Sequence, residues 1–190
     1  MRIDGEHFDA LAADLEQAMR ELEALLARDA ALWRRGRPGK WTAGQHVEHL
    51  AICVEDTAGA YERAAADLHA RTLAPAPRRG LLQRLWVALV LGRGTMPRGG
   101  RAPKRLQATA QPEREPTLAR LRRAADRHRA LGATLTPAER DRVWAPNPFL
   151  RRWHYTLSET LREHAVHIRH HAKLIAEIPG TPEGGMPCPD

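Results

Sequence analysis

Ten histidines stand in a chain of 190 residues, and His164, His167, His170 and His171 fall within eight residues of one another. His167 and His171 are four apart. On a helix that spacing stacks two imidazoles one turn apart, where both can bind one metal ion. A second stretch, WTAGQHVEHLAICVED over 41–56, carries His46 and His49, with Cys53 one turn below His49. Three neutral imidazoles with an open position form the donor set of a catalytic Zn²⁺-type site, and imidazole also suits Ni²⁺ and Fe²⁺. A divalent ion held this way lowers the pKa of whatever fills the open position and yields a nucleophile near neutral pH.

The helical phase decides which imidazoles qualify. His49 faces the apolar side of its helix, while Glu48 and Glu55 lie opposite. His164, His167 and His171 edge the stripe of Leu157, Leu161, Ile168 and Ile175. His170 turns outward, about 60° from His167 and about 100° from His171. The phase therefore selects His49, His167 and His171 as ligands and leaves open whether His164 or Cys53 joins them. Asp56, Glu159 and Glu163 are candidates to orient an imidazole, although a surface salt bridge suits each. His128 alone reads as a hydrogen-bonded core residue, and His7, His69 and His154 as surface or loop. Cys53 reads as a buried structural thiol.

Four long helices must position these groups. The apolar periodicity predicts helices near 7–33, 42–69, 113–134 and 156–178. Thr42 with Gln45 has the form of a capping box, and Thr156 or Ser158 caps the last helix. Gly and Pro in RGRPGK (35–40) and Pro179-Gly180 end helices. Residues 136–149 read as a connector with one helical turn. No strand pattern is evident. The fold expected is all-α, a four-helix bundle whose long crossover, 70–112, carries a short extra helix in the apolar run 81–92. Residues 1–180 form the domain, and 181–190 read as a disordered tail.

Composition removes several classes. Apolar residues make up 43% and charged residues 28%, as in a globular domain. No stretch is long and apolar enough to span a bilayer. Two cysteines make no disulfide framework, and no apolar signal region opens the chain, so the expectation is a cytoplasmic protein. The net charge is +7. From Leu68 to Pro112 there are nine Arg or Lys and no Asp or Glu. That segment could meet nucleic acid, an anionic surface or an acidic ligand. No zinc-finger, helix-turn-helix or aromatic-basic signature supports nucleic acid. The apolar run is expected to cap the bundle or form a homodimer interface.

Two segments carry a family resemblance. GKWTAGQHVEHL, 39–50, resembles the opening of helix two in the DinB/YfiT-like superfamily of bacterial four-helix metalloproteins, Trp-Ser/Thr-x-x-x-hydrophobic-x-x-His-Leu. HIRHHAKLI, 167–175, is similar to that superfamily's His-x-x-x-His-x-x-Gln-Ile ending of helix four. Asn147-Pro148 replaces the His-Pro of one branch, and Lys173-Leu174 replaces a Gly-Gln pair. The resemblance implies a metal-dependent enzyme whose ligands fall on His49, His167 and His171. It implies a thiol-dependent transferase or a hydrolase acting on a small molecule, with a low-molecular-weight thiol as one partner. The alternative is a non-catalytic helical module binding a metal, an anionic surface or nucleic acid.

Overall fold

The computed structural model describes residues 8–179 and is mostly helical. His7, Cys188 and the tail expected over 181–190 lie outside the described residues. The first helix, α1 (Phe8–Ala27), buries Phe8, Leu15, Ala18, Met19, Leu22 and Leu26 along one face. It stops earlier than the periodicity predicted. Asp29 accepts the Ala31 amide at 2.8 Å and starts a separate 3₁₀ turn over Ala30–Arg34. A short acceptor side chain thus diverts the backbone from the helix, and the apolar spacing alone cannot register it.

Helix α2 (Ala43–His69) begins as expected. Thr42 accepts the Gln45 amide at 3.2 Å, and the Gln45 side chain accepts the Thr42 amide at 2.9 Å. Gly44 is required by packing: a Cβ there would meet the Trp33 ring at 2.7 Å. A short helix, α3 (Leu81–Trp86), widens into a π-type turn over Val87–Leu91. Then come α4 (Arg114–Thr134), α5 (Pro137–Arg142) and α6 (Leu157–Ala176). Thr156, rather than Ser158, caps α6.

Helix α2 packs along α4, and α1 along α6; α2–α6 and α1–α4 contacts join the two pairs around one apolar core. Asp14 on α1 receives both Arg162 and Arg169 from α6, at 2.7 and 2.8 Å. No helix among the described residues is long and apolar enough to cross a membrane.

The expectation of an all-α chain needs one correction. Strands β1 (Trp144–Pro146) and β2 (His154–Thr156) pair antiparallel, with Ala145 opposite Tyr155. Asn147 turns the chain between them: its Oδ1 accepts the Phe149 and Leu150 amides, both at 2.8 Å. Proline at 148 favours extended backbone at the residue before it. Three-residue strands are too short to display a period of two, which is why the pattern was invisible. His154 is also corrected. It is buried on β2, against the Trp144 ring at 5.5 Å, rather than on the surface.

Candidate metal centre

Helices α2 and α6 run antiparallel where they meet. His46 approaches His171, Thr57 approaches His164, and Tyr61 approaches Thr160. This pairing places the first turns of α2 against the last turns of α6. His49, His167 and His171 converge there, all buried, each offering a ligand atom within 4.8 Å of the others. The three ring centroids lie 4.7–5.2 Å apart.

Neighbouring groups hold two of the three rings from behind. His49 Nδ1–H donates to the Leu106 carbonyl at 2.6 Å, which leaves the lone pair on Nε2. His171 Nδ1 meets His46 Nδ1 at 2.7 Å, so one of the two donates to the other. With His171 as donor, its Nε2 lone pair faces His167 Nε2 at 3.0 Å. Lone pairs brought together like this repel unless a proton or a cation lies between them. His167 Nδ1 is buried without a hydrogen-bond partner.

The Leu106 carbonyl comes from the basic crossover. A 3₁₀ turn over Lys104–Leu106 lies on α2, fastened at its middle residue and again three residues beyond the turn. Arg105 pairs with Asp56 at 2.8 Å, and Glu48 accepts the Thr109 amide and hydroxyl at 2.6 and 2.9 Å. Glu48 therefore holds this loop, a role that its position opposite His49 on the helix did not suggest. His46 and the Leu106 carbonyl are the partners that sequence reasoning missed. His46 carried a signal, being three residues before His49 and one turn into the same helix. A backbone carbonyl carries none.

Of the three candidate carboxylates, Glu163 is the one buried against the converging imidazoles. Its Oε2 lies 3.1 Å from His164 Nδ1, an ion-pair distance that is off hydrogen-bond geometry. Burial would raise its pKa, but the His164 imidazole beside it outweighs burial and holds the carboxyl below its usual value. Asp56 and Glu159 serve elsewhere. Asp56 pairs with Arg105, and Glu159 completes the α6 cap and pairs with Arg79.

Burial favours the neutral form of the three converging imidazoles, His49, His167 and His171. It pushes His167 down to about 3, lowers His171 well below the ordinary value, and lowers His49 as well. Neutral rings are the metal-binding form. His46 falls to about 4, again chiefly through burial.

His164 does not join the three. Its Nε2 contacts the Thr57 hydroxyl at 2.9 Å, and its ring meets His128 at 5.1 Å, deeper in the core. His128 is fully buried, with Nδ1–H donating to the Ala124 carbonyl at 3.1 Å. Cys53 is buried, its Sγ 3.7 Å from both His49 ring nitrogens and outside the three-histidine group. His170 is half-buried, beside His171 but not with it. His69 is exposed.

Aromatic rings wall the histidines. Trp41 stacks on His171 at 6.5 Å and tilts over His49 at 5.0 Å, while Phe149 lies 5.8 Å from both His49 and His167. Trp41, His46 and Phe149 are half-buried, so this end of the helix pair is the approach from solvent. A separate groove of about 230 Å³ between α1 and α4, lined by Leu15, Met19 and Ala125, shares no residue with the site.

Residues 7–177 match the family described as Protein of unknown function (DUF1569). No curated protein and no solved structure matches the chain.

Proposed function

The chain belongs to the DUF1569 family, and for this member we propose a metal-dependent enzyme with a DinB/YfiT-like four-helix bundle. His49, His167 and His171 hold one divalent ion, Zn²⁺, Ni²⁺ or Fe²⁺. The observation that carries this reading is the convergence of three buried, neutral imidazoles, two of them oriented from behind by His46 and the Leu106 carbonyl. Such rear partners fix the tautomer and aim the ring of a ligating histidine. The buried Glu163 carboxylate supports a cation as well. Among the described residues no Arg or Lys pairs with it.

Bound there, the ion supplies Lewis-acid activation of a thiol or a water at the position that protein groups leave open. The chain's own residues do the rest. Trp41 and Phe149 exclude bulk water and lower the local dielectric around the ligands. Glu163 supplies negative charge beneath His167 and His164. The substrate class is a small electrophile, attacked either by a low-molecular-weight thiol (transferase) or by water (hydrolase). A site with four protein ligands would instead be structural. Cys53, one turn from His49, is held as the neutral thiol, mainly by burial and then by Glu163.

The test is metal analysis of protein made without a polyhistidine tag and without a nickel column. One divalent ion per chain is expected, and none in His167→Ala. The metallated protein is then screened against thiol-plus-electrophile pairs and simple esters and amides. Turnover that survives in His167→Ala would refute the enzymatic reading.

A further inference from the structure

The segment 81–91 has two faces. Its inner face is anchored: Val90 and Leu91 are buried with Tyr155 and Val166, and Gln83 donates to the His154 carbonyl. Arg162 from α6 donates to the Leu91 carbonyl at 3.2 Å. The outer face holds Leu81, Leu82, Leu85 and Leu89, which are 77%, 74%, 53% and 42% exposed. They recur at three- and four-residue steps, so they form one stripe along the segment. Four leucines grouped this way on an anchored element are unlike singly scattered surface apolar residues.

Charge surrounds the stripe. Arg78 precedes it, Arg84 lies on its flank, and Arg93 follows it. All three are exposed and make no ion pair among the described residues. No acidic residue occurs between Leu68 and Pro112 to offset them.

We propose that this leucine face docks on an anionic lipid surface, with Leu81, Leu82, Leu85 and Leu89 at the acyl boundary and Arg78, Arg84 and Arg93 among the headgroups. An apolar stripe edged by guanidiniums needs a partner that presents apolar depth beneath a layer of negative charge, and an anionic membrane interface has that layering. A second copy fits less well. A two-fold contact brings the same patch against itself, so one arginine-edged rim would face another with no acidic residue in the segment to answer it. Docking here is peripheral, and the metal-site reading plays no part in it.

The test is co-sedimentation of the full chain with phosphatidylglycerol vesicles and with phosphatidylcholine vesicles. Binding is expected only to the anionic vesicles, weakening as NaCl rises from about 0.05 to about 0.5 M. Leu82→Glu/Leu85→Glu should weaken it by roughly tenfold or more, and Arg84→Gln by about fivefold. All three positions face solvent, so circular dichroism of the variants should match the parent. Absence of sedimentation, equal binding to both vesicle types, or undiminished binding by the leucine variant would overturn the proposal. So would self-association without lipid binding that the leucine variant abolishes, an outcome assigning the face to a second copy.

Discussion

His46 and His171 meet Nδ1 to Nδ1 at 2.7 Å across α2 and α6, 125 positions apart in the chain. The contact fixes the His171 ring from behind, on the side away from His167 and His49. His46 is thereby a positioning residue for the metal, although it contributes no ligand atom to the three-histidine group. His46→Phe should leave one ion bound per chain but weaken affinity by about 10- to 100-fold, as loss of a rear partner does. Competition with a chromophoric chelator measures it. Loss as complete as in His171→Ala would make His46 a ligand instead.

His170 and His171 are neighbours with different fates. His171 is buried in the metal group, and His170 is half-buried outside it. His170→Ala should retain metal within about twofold of the parent, well below the effect of losing a rear partner. His171→Ala should lose it. Metal content after dialysis against a mild chelator reads both, and equal losses would place His170 in the site.

Acid should destabilise the fold from a definite point. Burial, then the nearby His164, pushes His128 down to about 3. In the unfolded chain the same side chain protonates near 6.5. Between these values the unfolded state binds the extra proton. Stability is therefore full above about pH 6.5 and falls as pH drops, by about 1.4 kcal/mol per pH unit for this one group. The thermal midpoint should decline from pH 6.5 to 4.5, and His128→Leu should show a shallower decline. A midpoint that rises on acidification would contradict the burial of this imidazole.

Gly132 makes room for Phe8. A Cβ at position 132 would overlap the Phe8 ring, and Arg140 covers that ring at 4.3 Å from its centroid. Gly132→Ala should displace the ring and cost about 3 kcal/mol, comparable to Phe8→Ala itself. In a Phe8→Ala background the same change should stabilise the protein by about 0.5–1 kcal/mol, because alanine favours helix more than glycine. A denaturant double-mutant cycle decides it, and additive losses would mean that the ring does not occupy this gap.

Local periodicity carried much of the candidate site. His49, His167 and His171 each lie on a helix whose apolar stripe sets its phase, so their inward direction follows from a 3.6-residue repeat and nothing distant. The Thr42 and Thr156 caps are equally local, each closed by a residue three positions on. The partners that orient and charge the site have no such repeat. His46 reaches across to another helix, the Leu106 carbonyl arrives on a loop pinned by Glu48 and Asp56, and Glu163 is buried rather than paired on the surface. The outward leucines of 81–91 belong with these. An apolar run alone does not say which side the protein covers, and Val90 and Leu91 turned inward only because Tyr155 and Val166 are there to receive them. Helical phase is settled by neighbours within a turn, whereas burial and hydrogen-bond partnership depend on which distant segments the fold brings to the same place.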